Sequence, residues 1–85
     1  MHTIIDVKYI RDYILKIQFG NKTIKIVDLK DRIINLSSHK NSIFKALRNI
    51  KFFRKVKVNP EIGTICWPNN ADFCPDVLYR IGKDD

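Results

Sequence analysis

Most of what supports catalysis or a cross-linked scaffold in a small domain is scarce in this sequence. Its 85 residues include two cysteines, three glycines and three prolines. Cys66 and Cys74 are too few for a disulfide framework, and they do not form the close pair from which zinc sites are usually built. There is no glycine-rich phosphate loop. The only histidines, His2 and His39, sit at a terminus and in a polar stretch, away from any positioned nucleophile. No apolar run approaches the roughly 18 residues that span a bilayer. No basic start followed by an apolar core marks a secretion signal. These absences lead to an expectation of a cytoplasmic, non-enzymatic protein with reduced thiols, no cofactor, no metal and no membrane partner.

Positive charge is abundant. The net charge is +7 and the isoelectric point is near 9.7. Fourteen Ile, eleven Lys and seven Asn resemble the usage of an AT-rich genome, where Lys is the default surface residue, so the total alone decides little. The distribution is more telling. Between Arg32 and Asn59 there are eight basic residues and no acid, with Lys45, Arg48, Lys51, Arg54, Lys55 and Lys57 concentrated in its second half. A length of 85 residues fits one domain, with Lys83–Asp85 a frayed tail.

Period-two alternation dominates the first thirty residues and predicts three half-buried strands. Thr3 to Ile10 places Ile5, Val7 and Tyr9 on one face, and Tyr13 to Phe19 places Tyr13, Leu15, Ile17 and Phe19 on one face. Gly20-Asn21 between the second and third strands suits a tight hairpin with positive φ. Thr23 to Leu29 alternates through Ile24 and Ile26 against Lys25, then slips at Val27, as a bulge or a strand end would make it. Between Lys30 and Asn41 the pattern is undecided: Arg32 to Leu36 fits either one helical turn or an extended connector, and Ser37 to Ser42 reads as a polar loop ending in a helix cap. Asn41 or Ser42 then caps a short helix whose stripe is Ile43, Phe44, Leu47 and Ile50, with Asn49 ending or interrupting it. Lys55 to Asn59 and Thr64 to Trp67 read as a second hairpin around a Pro60–Gly63 turn. A last short helix covers Pro75 to Ile81. The order βββ-α-ββ-α implies an α+β fold, with an antiparallel or mixed sheet of about five strands covered by one or two short helices.

The chemically distinctive stretch is Gly63 to Tyr79, GTICWPNNADFCPDVLY. Its Gly63, Trp67, Pro68, Asn69, Asp72, Pro75, Asp76 and Tyr79, together with Thr64, Ile65, Ala71, Phe73 and Leu78, resemble the C-terminal motif of a bacterial family, domain of unknown function 2442. Val27-Asp28-Leu29 and Phe52-Phe53 with Val56 and Val58 also lie where that family has them. Asn70 replaces the usual glycine, a mild departure because Asn tolerates the left-handed region. The connector from Lys30 to Lys40 is less typical. The resemblance implies an α+β fold and no catalytic residue. It also implies that some relatives are fused to helix-turn-helix domains, and that others are encoded beside a second small protein, like a toxin–antitoxin pair.

Residue chemistry within the stretch favours structural roles. Asn69, Asn70, Asp72 and Asp76 lack the ligand density and closing Glu of a calcium loop. A turn, a local cap at Asp72 and helix-dipole stabilisation by Asp76 account for them. Trp67 fits the core better than an exposed anchor. Function is therefore expected on the basic surface of residues 40–57, as a protein-interaction or regulatory module. Its partner would be a small protein encoded by the adjacent gene, with the chain as the antitoxin-like half. The alternative is a nucleic-acid-binding regulator using the same surface, and homo-oligomerisation is compatible with either.

Overall fold

The computed structural model describes residues 2–85. Three strands, β1 (Ile4–Arg11), β2 (Ile14–Phe19) and β3 (Ile24–Asp28), form the antiparallel meander that the alternation predicts. Two helices and a 3₁₀ helix follow: α1 (Lys30–Leu36), a 3₁₀ segment (Ile43–Arg48) and α2 (Ile50–Phe53). The hairpin β4 (Lys57–Asn59) and β5 (Thr64–Cys66) forms a separate two-stranded sheet, and α3 (Pro75–Ile81) closes the fold. Lys83–Asp84, expected as a frayed tail, is instead β6. It pairs with Lys25 and Ile26 at the edge of the meander, giving a four-stranded antiparallel sheet in the order β1-β2-β3-β6. Gly82 makes this close approach possible, because a Cβ there would stand 2.9 Å from Lys25 Cβ and 3.0 Å from Val27 Cγ2. The α+β class and the antiparallel pairing are those the sequence implied, with six strands in two sheets among the described residues in place of about five in one.

Residues directly opposite one another in antiparallel strands share a face, so the register fixes which side each occupies. Leu15, Ile17 and Phe19 point into the core, as expected. β1 carries two bulges, which leave Ile5 and Ile10 without cross-strand partners. The first shifts the phase, so Ile4 is buried while Ile5, expected inside, is 53% exposed. On β3 the expected faces are reversed. Lys25 lies opposite Ile17 and Val27 opposite Leu15, so the core-side row is Lys25, Val27 and Leu29, and Ile24 and Ile26 lie on the other face. The hairpin after β2 also departs from the expectation. Gly20-Asn21-Lys22 is a three-residue loop closed by Phe19 and Thr23, and the left-handed residue is Lys22, with φ 73°.

The helices resolve the undecided middle of the chain. Residues Lys30–Leu36 are helical, started by Asp28 Oδ1 accepting from the Lys30 amide at 3.0 Å. Ser42 is the cap of the next segment, its Oγ accepting from the Phe44 amide at 3.1 Å. Asn49 interrupts as expected. It is extended, with ψ 118°, and its Oδ1 accepts from the Lys51 amide at 3.0 Å to start α2. Ile43 is exposed rather than part of the buried stripe.

One core joins both sheets and the helices, built from Ile4, Leu15, Ile17, Phe19, Val27, Leu29, Ile33, Leu47, Phe53, Ile65, Trp67, Phe73 and Leu78. Phe53 sits amid Tyr13, Tyr9 and Trp67, with ring centroids 5.4, 6.1 and 5.6 Å away. Trp67 is 1% exposed, and its indole N–H donates to the Phe53 carbonyl at 2.8 Å. Trp67→Phe removes that buried bond and leaves unfilled volume beside Phe73. It should cost about 2–3 kcal/mol, measured as a lowered denaturation midpoint by circular dichroism with an unchanged m-value.

Candidate functional site

The motif stretch works as a clamp. Trp67-Pro68-Asn69-Asn70 is a turn in which the Asn70 amide donates to the Trp67 carbonyl at 2.9 Å. Asn70 has φ 68°, the left-handed geometry expected where the resemblance has glycine. Asn69 Oδ1 accepts from the Ala71 amide at 3.1 Å, and Asn69 Nδ2 donates to the Ile43 carbonyl at 2.8 Å. Capping therefore falls to Asn69 rather than to Asp72, which is exposed and bridges Cys66 through its backbone. Thr64 Oγ1 donates to the Phe73 carbonyl at 2.6 Å inside the core. Gly63 is left-handed at φ 71°, and its carbonyl accepts from the Ile4 amide at 2.9 Å, tying the turn to β1. Pro68 is exposed, and Pro75 opens α3 at its first turn, followed by Asp76.

Three carbonyls along the basic segment receive side-chain donors from elsewhere in the fold. Asn69 donates to Ile43, the Tyr13 hydroxyl to Arg48, and Trp67 to Phe53. The acceptors lie five residues apart, so the segment is held at both ends and in the middle. It has a pattern that a 3.6-residue reading overlooks. From Ile43 to Arg54 the sequence runs Ile-Phe-Lys, Ala-Leu-Arg, Asn-Ile-Lys, Phe-Phe-Arg, with a cation at every third position. The middle residues Phe44, Leu47, Ile50 and Phe53 are buried or half-buried, whereas Lys45, Arg48, Lys51 and Arg54 are all exposed.

Helix geometry explains why this row exists. In a continuous α-helix a three-residue step falls short of a turn by about 60°, so three such steps would put Lys45 and Arg54 on opposite sides. A 3₁₀ helix has three residues per turn and keeps Lys45 and Arg48 in line. The extended residue Asn49 then resets the phase for α2. Lys45 Nζ donates to the Lys40 carbonyl at 2.8 Å, and the Arg54 guanidinium lies 5.3 Å from the Tyr9 ring centre. Lys55 and Lys57 are exposed just beyond the row. Among the described residues none of these six cations forms an ion pair.

A second cluster lies on α3. The His2 amide and ring Nδ1 both donate to Asp76 Oδ1, at 2.7 and 2.8 Å. The His2 ring stacks on Tyr79, with centroids 3.7 Å apart. Tyr79 also meets Thr23 and Asn21 through its hydroxyl, while Lys25 Nζ stands 4.5 Å from its ring centre and 3.3 Å from Asp84. The His2 amide, then its ring, hold the Asp76 carboxyl below its ordinary value. Hydrogen bonds with Thr23 and Asn21 do the same for the Tyr79 phenol. An imidazole oriented by a carboxylate is two-thirds of a hydrolytic triad, but the hydrogen bonds of the described residues bring no hydroxyl or thiol to that ring. Its evident work is to fasten the N-terminal residues to α3. No sequence signal marked His2, since its partner lies 74 positions away.

Cys66 is buried and Cys74 exposed, and no group of three or more His, Cys, Asp or Glu able to hold a metal occurs among the described residues. No helix among them is long and apolar enough to cross a membrane.

The profile of the family described as Protein of unknown function (DUF2442) matches residues 4–84, nearly the whole chain. The chain belongs to this family. No curated protein and no solved structure matches it. Membership brings no assigned chemistry.

The Asp76 tie makes stability depend on pH with a definite sign. A carboxyl depressed on folding stabilises above its unfolded value of 3.8, and that contribution disappears as pH falls through the lower folded value. Asp76→Ala should therefore lower Tm at neutral pH, and the gap from the parent protein should close on acidification below the ordinary carboxylate range. Thermal scans across that range check this, and His2→Ala, which keeps the amide bond to Asp76, should show a smaller pH-dependent loss.

Proposed function

We propose that the protein is a non-enzymatic interaction module, the antitoxin-like half of a two-gene pair. Its partner docks on the face carrying Lys45, Arg48, Lys51, Arg54, Lys55 and Lys57. One observation supports this reading above the others: six exposed cations within thirteen residues, none in an ion pair among the described residues. Like charges held together repel, and no carboxylate among the described residues pairs with them. A partner bearing carboxylates would relieve that repulsion, and the one-signed field would accelerate its approach. A nucleic-acid backbone is the second reading, favoured by the net charge of +7.

Co-expression with the product of the adjacent gene should give a complex that co-elutes at about micromolar concentration, the range in which standard-sized specific interfaces persist. Separate elution, with neither protein altering the other's effect on growth, would sink the proposal. The second reading instead requires an affinity for DNA or RNA that falls steeply with salt, with a slope close to the number of phosphates neutralised.

A further inference from the structure

We propose that the row Lys45, Arg48, Lys51 and Arg54 docks an acidic α-helix of the partner, reading carboxylates placed at three- and four-residue spacing on one helix face. This rests on the interaction-module reading above and names the chemistry of the partner.

Step length carries the argument. Along the 3₁₀ segment, Lys45 to Arg48 advances about 6 Å, three residues at about 2.0 Å each. Within and just beyond α2, Lys51 to Arg54 advances about 4.5 Å, three residues at about 1.5 Å each. Acids four and three residues apart on an α-helix advance by about 6 and 4.5 Å. Acids on one face of a strand recur every two residues, about 6.7 Å, which overshoots the advance of about 4.5 Å in the Lys51–Arg54 pair. Both ends of the row are held in place. Lys45 is bent onto the Lys40 carbonyl and Arg54 is laid over Tyr9, so their charges are pre-positioned and lose less freedom on binding. Arg48 and Lys51 between them have no ion-pair partner among the described residues.

Single-stranded nucleic acid fits this face less well. Its binding sites pair cations with open aromatic platforms. Here Trp67 is buried, the Tyr13 hydroxyl is committed to the Arg48 carbonyl, and Tyr9 lies beneath Arg54. Phe44 and Phe52, the other rings near the row, are half-buried against the core.

The test uses the full chain and three probes at about 10 mM ionic strength, where the screening length is about 30 Å. They are an alanine-based helical peptide with Glu at alternating three- and four-residue spacing on one face, a peptide of the same composition with Glu spread around the helix, and a short DNA in single- and double-stranded form. Amide chemical-shift titration should map the one-face peptide to residues 43–54 and show it binding about tenfold tighter than the spread peptide, an effect of charge register. Arg48→Glu with Lys51→Glu should abolish that preference while leaving the circular dichroism spectrum and Tm of the free protein close to the parent's. Equal binding of the two peptides, tighter binding of either DNA, or binding that survives the double reversal overturns the inference. The adjacent-gene complex separates the two proposals. If it forms and tolerates the double reversal, the module reading stands and the row is not its site. If it never forms while the one-face peptide still binds in register, the gene-pair reading fails and the row stands.

Discussion

The hydrogen bond from the Trp67 indole to the Phe53 carbonyl is the constraint on which the rest of the structure depends. The segment from Ile43 to Phe53 contains no complete α-helix of ordinary length. It is a six-residue 3₁₀ turn, an extended residue and a four-residue helix. Pieces this short do not stabilise themselves, because nucleation costs more than a few internal bonds return. Much of their carbonyl capacity is left over, and the fold meets it with donors from outside. Trp67 serves the C-terminal end, Asn69 the N-terminal end and Tyr13 the middle. Trp67 also fills the space between Phe53 and Phe73, so one side chain fastens the segment and completes the core. The turn that carries Trp67 and Asn69 has to be rigid, and Pro68 and the left-handed Asn70 make it so.

The cluster around α3 is closed by different physics. There the chain's first described residues and its last strand meet on α3 and β3. Asp76 takes both the amide and ring of His2, Tyr79 stacks on that ring, and Lys25 spans Tyr79 and Asp84. This explains why a lysine can stand on the core side of β3. Its stem runs along apolar neighbours and its ammonium emerges against a π-face and a carboxylate. The same lysine is what makes β3 misleading in sequence. Ile24 and Ile26 look like the inward residues, yet pairing with Ile17 puts Lys25 there.

Features set by local chemistry were legible. The meander, the cap at Ser42, the interruption at Asn49, the Pro60–Gly63 turn, the buried Trp67 and the left-handed Asn70 follow from alternation, side-chain hydrogen bonding or φ preference. Features decided by tertiary choice were not. At Ile4-Ile5 either isoleucine satisfies the pattern, and only the bulge selects Ile4. In the β2–β3 loop the positive φ falls on Lys22 rather than Gly20-Asn21, because the closing pair is Phe19 and Thr23 and a three-residue loop puts its left-handed residue last. The tail became β6 because Gly82 leaves room against β3. The row at Lys45, Arg48, Lys51 and Arg54 was hidden for another reason. Its exposure was anticipated, but its alignment depends on a period of three that an amphipathic α-helix would not keep.

That period also bears on why the segment is built from fragments. A regular α-helix over Ile43–Arg54 would gain hydrogen bonds, but it would scatter the four cations around its circumference and rotate Phe44 and Phe53 onto opposite sides. Splitting it at Asn49 keeps Phe44, Leu47, Ile50 and Phe53 on the core side and keeps the cations together outside. Internal hydrogen bonding is given up, and the donors of Trp67, Asn69 and Tyr13 offset the loss. Core packing alone justifies the inward row. It does not require the outward positions to be basic at every step, because any polar residue would serve there. Four cations in four triplets add repulsion to a segment already short of internal bonds, and the fold holds it through three separate anchors. Core packing therefore accounts for the inward row of this segment and leaves the basic character of the outward row without a structural cause.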